Sequence, residues 1–147
     1  MLVSVVIVDD SEIDRYLAKR IIVASGLLHK VIEFSDGDEF RDFVMDQKKF
    51  TDECGPHPPP TLILLDINMP RLSGFELLEE LGKYKEDLNL NNCCIFMMFT
   101  SSENPMDIKK AQEFDCVKDY LVKPITKGKL QQLLEKHYPS FQSHVPV

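Results

Sequence analysis

The chain has no apolar stretch near the ~18 residues that a membrane-spanning helix requires, and its 17 basic residues fall short of its 24 acidic ones. The first absence excludes a helical membrane span. The second leaves a formal net charge of −7, which disfavours direct nucleic-acid binding, since phosphates are met by basic faces. Proteins are therefore the expected partners, with no direct nucleic-acid contact and no membrane. Cysteine and histidine are too scattered for a metal or disulfide framework. Cys54, Cys93, Cys94 and Cys116 show no CxxC spacing, and His29, His57, His137 and His144 form no cluster. Reduced, packed thiols in a cytoplasmic protein are the expectation. No basic segment precedes the opening run Met1-Leu2-Val3, so a cleaved signal peptide is not expected either.

What the chain does have is a set of short apolar runs that stop at reactive side chains. Val5-Val6-Ile7-Val8 stops at Asp9-Asp10, Leu62-Ile63-Leu64-Leu65 at Asp66, and Tyr120-Leu121-Val122 at Lys123-Pro124. A fourth run, Ile95-Phe96-Met97-Met98-Phe99, ends at Thr100-Ser101-Ser102. Continuous runs of this length with polar ends read as strands buried on both faces, as in a parallel sheet covered by helices. Such a sheet binds ligands beyond the carboxyl ends of its strands. Three acids, a lysine and hydroxyls far apart in sequence would then meet along one edge.

Between the runs the pattern turns helical. Ser11 with Asp14 three places on starts a helix that carries Ile13, Leu17, Ile21 and Ala24 on one stripe and stops near Gly26. Residues 30–34 read as a second strand, and Asp36 to about Lys49 as a second helix with Phe40, Phe43 and Val44 inward. The stretch Thr51 to Pro60, with its proline run, reads as a stiff connector without regular helix. A third helix runs from about Ser73 to Leu81 with Phe75, Leu77, Leu78 and Leu81 inward, and Lys83 to Asn92 reads as a surface loop or frayed end. Asn104-Pro105 starts a fourth helix. A strand over 117–122 and a helix from Thr126 to about His137 close the domain, and Cys93-Cys94 falls in the fourth strand. Five alternations of strand and helix in 147 residues imply one α/β domain over 1–138, with a short tail over 139–147.

Asp9, Asp10 and Asp66 brought together would repel, and each would resist ionising without a cation. All three offer hard oxygens, which suit magnesium better than zinc or iron. With Lys123 as a compact positive charge and Thr100 as a hydroxyl donor, the set matches the needs of phosphoryl transfer, with an aspartate as nucleophile. The alternative for Asp9-Asp10 is a helix cap, which would need one acid and no distant partner.

These residues closely resemble the receiver domains of two-component response regulators. The resemblance runs from Val3 to about Tyr138 and rests on Asp9-Asp10, Leu65-Asp66-Ile67-Asn68-Met69-Pro70 followed by Gly74, Thr100-Ser101 and Lys123-Pro124. It implies a flavodoxin-like, doubly wound, five-stranded parallel sheet of order 2-1-3-4-5 with helices on both faces. It implies that Asp66 accepts the phosphoryl group, that Asp10 and Asp66 ligate Mg2+ directly, that Asp9 acts through water, and that the Asn68 main-chain carbonyl completes the shell. Thr100 and Lys123 would hold phosphoryl oxygens, and Tyr120 matches the family's aromatic switch position, although a strand tyrosine on its own reads equally well as packing. The donor would be a sensor histidine kinase or histidine phosphotransfer protein, and the output a downstream protein target. The protein would be a switch, not an enzyme beyond limited self-catalysed phosphorylation and dephosphorylation. It would be monomeric or weakly dimeric on phosphorylation. A Lys-Pro bond like Lys123-Pro124 is often cis in the family.

Three positions depart from the family pattern. Ser101 stands where alanine or glycine is usual, which would narrow access for the donor. The connector from Phe50 to Pro60 is longer than usual. Asp115 replaces a glycine, and an aspartate tolerates the left-handed backbone such a turn would need. No output domain follows, so a stand-alone or excised receiver is expected. Two rival readings are a small α/β enzyme or flavin carrier on the same topology, whose cofactor phosphate Asp9-Asp10 would repel and which as a flavoprotein would be yellow, and a phosphorylation-independent scaffold, which would normally lack one of the acids or the lysine.

Overall fold

The structure, a computed structural model, describes residues 3–26, 28–55, 57 and 59–138. The expected tail over 139–147 with His144, and Pro56 and Pro58 of the connector, lie outside them. Strands β1 (Val3–Val8), β2 (Leu28–Phe34), β3 (Thr61–Leu65), β4 (Cys94–Thr100) and β5 (Val117–Val122) form one parallel sheet in the order β2-β1-β3-β4-β5. That is the expected topology. Every residue of β1, β3 and β4 is buried, so these runs have no polar face to alternate with an apolar one.

Successive side chains still take opposite faces. Val6, Val8, Ile63, Leu65, Phe96 and Met98 pack into one layer, and Val5, Ile7, Leu62, Leu64, Met97 and Phe99 into the other. The second layer is closed by α1 (Glu12–Ala24) and α7 (Lys127–His137) through Ala18, Ile22, Leu130, Leu133 and Leu134. The first is closed by α2 (Gly37–Met45), α3 (Gln47–Cys54), α4 (Gly74–Gly82), α5 (Leu90–Cys93) and α6 (Pro105–Ala111). Phe40, Phe43, Val44, Phe75, Leu77, Leu78 and Leu81 face inward as expected.

Several local expectations are corrected. The single helix expected from Asp36 to Lys49 is two, because Asp46 leaves the helical backbone and its carboxylate caps α3 by accepting from Lys49 N–H at 3.1 Å. Thr51–Cys54, read as connector, complete α3, whose Phe50 and Cys54 enter the core. Near the expected frayed end, Leu90 is drawn into the core and organises α5, so Cys93 ends a helix and only Cys94 belongs to β4. The apolar stripe read on α1 is divided: Ile13 is 70% exposed and Leu17 45%, Ile21 packs partly buried against the core, and Ala18 and Ile22, which lie off the stripe, make the buried contact with the sheet. Asp115 needs no left-handed backbone; among the described non-glycine residues only Arg71 and Asn89 have positive φ. The four cysteines are free, and burial pushes the Cys54 thiol up to about 11 and Cys94 well above its ordinary range.

Candidate functional site

The order of the sheet reverses at β1, whose two neighbours β2 and β3 follow it on opposite sides, and the crevice opens where β1 and β3 end. Backbone bonds carry the ladder past the strands and fix the reactive residues side by side. Asp9 N–H donates to the Phe34 carbonyl at 3.0 Å, Asp66 N–H to the Val8 carbonyl at 3.0 Å, and Lys123 N–H to the Thr100 carbonyl at 2.8 Å. Beyond Asp66 the loop folds back tightly. Gly74 N–H donates to the Ile67 carbonyl at 2.8 Å, and a Cβ on Gly74 would lie 2.2 Å from the Asp66 carbonyl oxygen, so only glycine fits at the start of α4. A capping box of Ser73 and Glu76 anchors that helix, and Ser11 caps α1 by accepting from Asp14 N–H at 3.2 Å.

Asp9, Asp10 and Asp66 come together as expected, with carboxylate oxygens all within 4.8 Å of one another. Asp9 is fully buried and Asp66 nearly so, whereas Asp10 is exposed at the mouth. Lys123 Nζ lies 2.6 Å from Asp9 Oδ2, 2.9 Å from Asp14 Oδ2 and 3.3 Å from Asp66 Oδ2. The Asp9 carboxylate does more than cap: Oδ1 accepts from Ser11 N–H at 2.9 Å while Oδ2 faces the lysine. Asp66 Oδ1 accepts from Ile67 N–H at 2.8 Å, leaving Oδ2 toward Lys123.

Burial, then the neighbouring charge of Asp9, pushes the Asp66 carboxyl up to about 6, against the pull of Lys123. Burial lowers the Lys123 ammonium, but its pairing with Asp9, Asp14 and Asp66 outweighs that and holds it above the usual lysine range. A single ammonium does not satisfy this many carboxylates. Asp9 Oδ2 lies in an ion pair yet receives no hydrogen bond, and a buried anionic oxygen in that position fits a cation. The donors are all oxygen, as a hard divalent ion prefers.

Thr100 is fully buried at the end of β4, and its Oγ1 accepts from Ser102 N–H at 3.2 Å. The Ser102 carbonyl in turn accepts from Tyr120 Oη at 2.8 Å. Ser102 is thus the physical link between the hydroxyl and the ring; sequence places it only among the hydroxyls at the end of the fourth run, and Asp14 only at a helix start. For Asp14 the available signal was its place one turn into a helix that starts at the acid pair. Asn68 and Ser101 are exposed in the loops after β3 and β4. The Lys123-Pro124 peptide is cis.

Set beside known proteins, the chain matches the response regulator receiver domain over residues 5–135 and belongs to that family. It is 30% identical over 119 residues to the response regulator Rcp1 of Synechocystis sp., covering 81% of this chain and 75% of that protein. It is 31% identical over 137 residues to the two-component response regulator ORR11 of rice (Oryza sativa), covering 92% and 80%. A two-component response regulator from Cytophaga hutchinsonii superposes with a TM-score of 0.80 at 27% identity, covering 95% of this chain and 98% of that one. The Mn(2+)-bound form of Rcp1 superposes at 0.69 with 28% identity, covering 95% and 96%. The chain is therefore a receiver domain of the two-component class, with an acidic cluster able to hold a divalent metal. Relatives of this kind are signalling proteins, and no helix among the described residues is long and apolar enough to cross a membrane.

Proposed function

We propose that Asp66 accepts a phosphoryl group from a phosphohistidine on a sensor kinase or phosphotransfer protein, with Mg2+ in the acidic cluster, and that the modification changes a partner-binding face. The observation that carries this is the convergence of three carboxylates within 4.8 Å on a lysine 3.3 Å from the acceptor oxygen. An Asp66 oxygen attacks phosphorus, the P–N bond breaks, and its electron pair leaves with the imidazole nitrogen, which takes up a proton. Lys123 and the Thr100 hydroxyl orient the phosphoryl oxygens. Asp10, Asp66 and the Asn68 carbonyl would hold the metal, with Asp9 behind a water; its role when bound is to neutralise charge on the transferring group. The engagement of Asp9 by Ser11 and Lys123, against the freedom of exposed Asp10, supports that division. Hydrolysis of the acyl phosphate by water would return the carboxylate, so self-catalysis is confined to gain and loss of this group.

The donor is a protein on this reading, and the exposed Ile13 and Leu17 on α1, beside the mouth of the site, offer it an apolar surface. The receiver spans 1–138 with a tail over 139–147, and phosphorylation promotes at most a weak dimer. The output face is the one formed by α6, β5 and α7. Incubation with Mg2+ and a small phosphodonor, followed by localisation of the added mass, tests the assignment. Modification of Asp66 alone is expected, and equal modification of Asp66→Asn overturns it. Metal titration should rank Asp10→Asn as far more damaging than Asp9→Asn.

A further inference from the structure

One carboxylate at the site belongs to none of the assigned roles. Asp14, one turn into α1, makes its only side-chain ion pair among the described residues with Lys123, at 2.9 Å. An ammonium has three N–H donors, and here three carboxylates compete for them, with Asp66 the most distant of the three. We propose that Asp14 is a positioning residue that holds Lys123 away from Asp66 and thereby weakens the grip of the site on a phosphoryl group. The inference rests on Asp66 being the phosphoacceptor.

Lys123 already donates to Asp66 Oδ2, but at 3.3 Å this is the longest of its three contacts, and drawing closer to a phosphoryl group there means loosening a shorter one. Asp9 is fully buried and pinned by Ser11, so releasing it would strand a charge away from water. The Asp14 side chain is 37% exposed, and water can replace the lost contact. Asp14 is therefore the partner that lets go. Its neighbour Arg15 does not compensate it, since that guanidinium donates to the Asp9 carbonyl at 2.6 Å and pairs with Glu33 at 3.4 Å. A carboxylate facing the same lysine also repels the added phosphoryl charge, which points in the same direction.

For a bound cation the sign reverses. Without Asp14, Lys123 shifts its charge onto Asp9 and Asp66 and competes there with the metal, while a nearby negative charge is lost. A phosphoryl mimic and a metal should thus respond oppositely to one substitution, which a merely structural role would not produce.

The test titrates beryllofluoride at saturating Mg2+, and Mg2+ alone, into the full chain with each of four sequences: wild type, Asp14→Asn, Asp14→Ser and Asp14→Glu. Backbone amide spectra report both binding and fold. Removing the charge should tighten beryllofluoride about three- to tenfold and weaken Mg2+ alone roughly two- to threefold, a size set by one partly screened charge pair. Asp14→Ser should match Asp14→Asn, and Asp14→Glu should stay near wild type. Unchanged or weaker beryllofluoride binding by folded Asp14→Asn and Asp14→Ser overturns the proposal, as does Asp14→Glu binding as tightly as Asp14→Asn. A wild type that binds Mg2+ but no beryllofluoride overturns the phosphoacceptor reading, and this inference with it.

Discussion

At the amino-terminal end of the sheet the buried polar groups are uncharged hydroxyls, those of Ser4 and Tyr138 bonded within the chain and that of Thr61 left without a hydrogen-bond partner among the described residues, whereas at the carboxyl end they are charged and over-supplied with one sign. Ser4 Oγ donates to the Cys54 carbonyl at 2.5 Å, and Tyr138 Oη to the Pro60 carbonyl at 2.8 Å. Each bond joins a strand or helix end to the segment that leads into β3, and each leaves nothing for a ligand to complete. Across the sheet, Asp9, Asp14 and Asp66 crowd one ammonium, and a buried oxygen of Asp9 receives no hydrogen bond. Since the same strands supply both ends, the difference is not one of fold. It shows where stability has been conceded for binding: a carboxylate cluster that a cation can relieve is unfavourable until the cation arrives.

The sharpest break of this comparison is the Asp66→Asn substitution, which should abolish phosphorylation while Tyr138→Phe at the other end leaves it intact. Mass measurement after treatment with a small phosphodonor would check both. Loss of phosphorylation in a folded Tyr138→Phe protein would mean the ends are not independent.

Next in size is a pH effect confined to the charged end. The Asp66 carboxyl is raised from 3.8 to about 6 in the metal-free fold. Below pH ~4 both folded and unfolded chains hold this proton, so it costs nothing. Between ~4 and 6 only the folded chain holds it, and above ~6 the fold must ionise a buried acid, so stability is lost as pH rises. The loss should be on the order of 2–3 kcal/mol, read from denaturant midpoints in chelator at pH 4 to 7.5. Asp66→Asn should flatten the profile and Mg2+ should reverse it. Metal affinity should fall as pH drops through about 6, as the proton competes for the same oxygen.

Tyr138→Phe should cost about 1 kcal/mol, the worth of one buried neutral hydrogen bond with its acceptor left unpaired. That is a fall of roughly 2–4 °C in melting temperature for a chain of this size, with no dependence on metal. A cost that shrinks on adding Mg2+ would contradict the separation of the two ends.

The smallest effect on chemistry and the most specific on signalling is expected from Tyr120→Ala. It cuts the path from Thr100 through Ser102 to the ring. Phosphorylation of Asp66 should be nearly unchanged, while beryllofluoride-induced amide shifts on α6, β5 and α7 collapse. Shifts that reach that face equally well without the ring would remove Tyr120 from the coupling.

Much of this was legible in the chain itself. Apolar runs with no polar alternation mark strands buried on both faces, and each run names the side chain at its end, so the sequence alone puts Asp9, Asp66, Thr100 and Lys123 on one edge. Local chemistry also declared itself, in the Ser11 cap and the proline at the start of α6. Tertiary structure decided what periodicity leaves open. On α1 two apolar stripes compete, and the small Ala18 with Ile22 faces the sheet, while the larger Ile13 and Leu17 are left exposed beside the site. Whether a polar segment is loop or helix depended on partners too: Phe50, Cys54 and Leu90 became helical residues where the core had room to bury them. Asp14 and Ser102 acquired their places only when Lys123 and Tyr120, 109 and 18 residues away, came within hydrogen-bond reach. Spacing along a chain reports which side chains share a face or an edge, but the division of three N–H donors among competing acids is a matter of ångströms that only the folded arrangement sets.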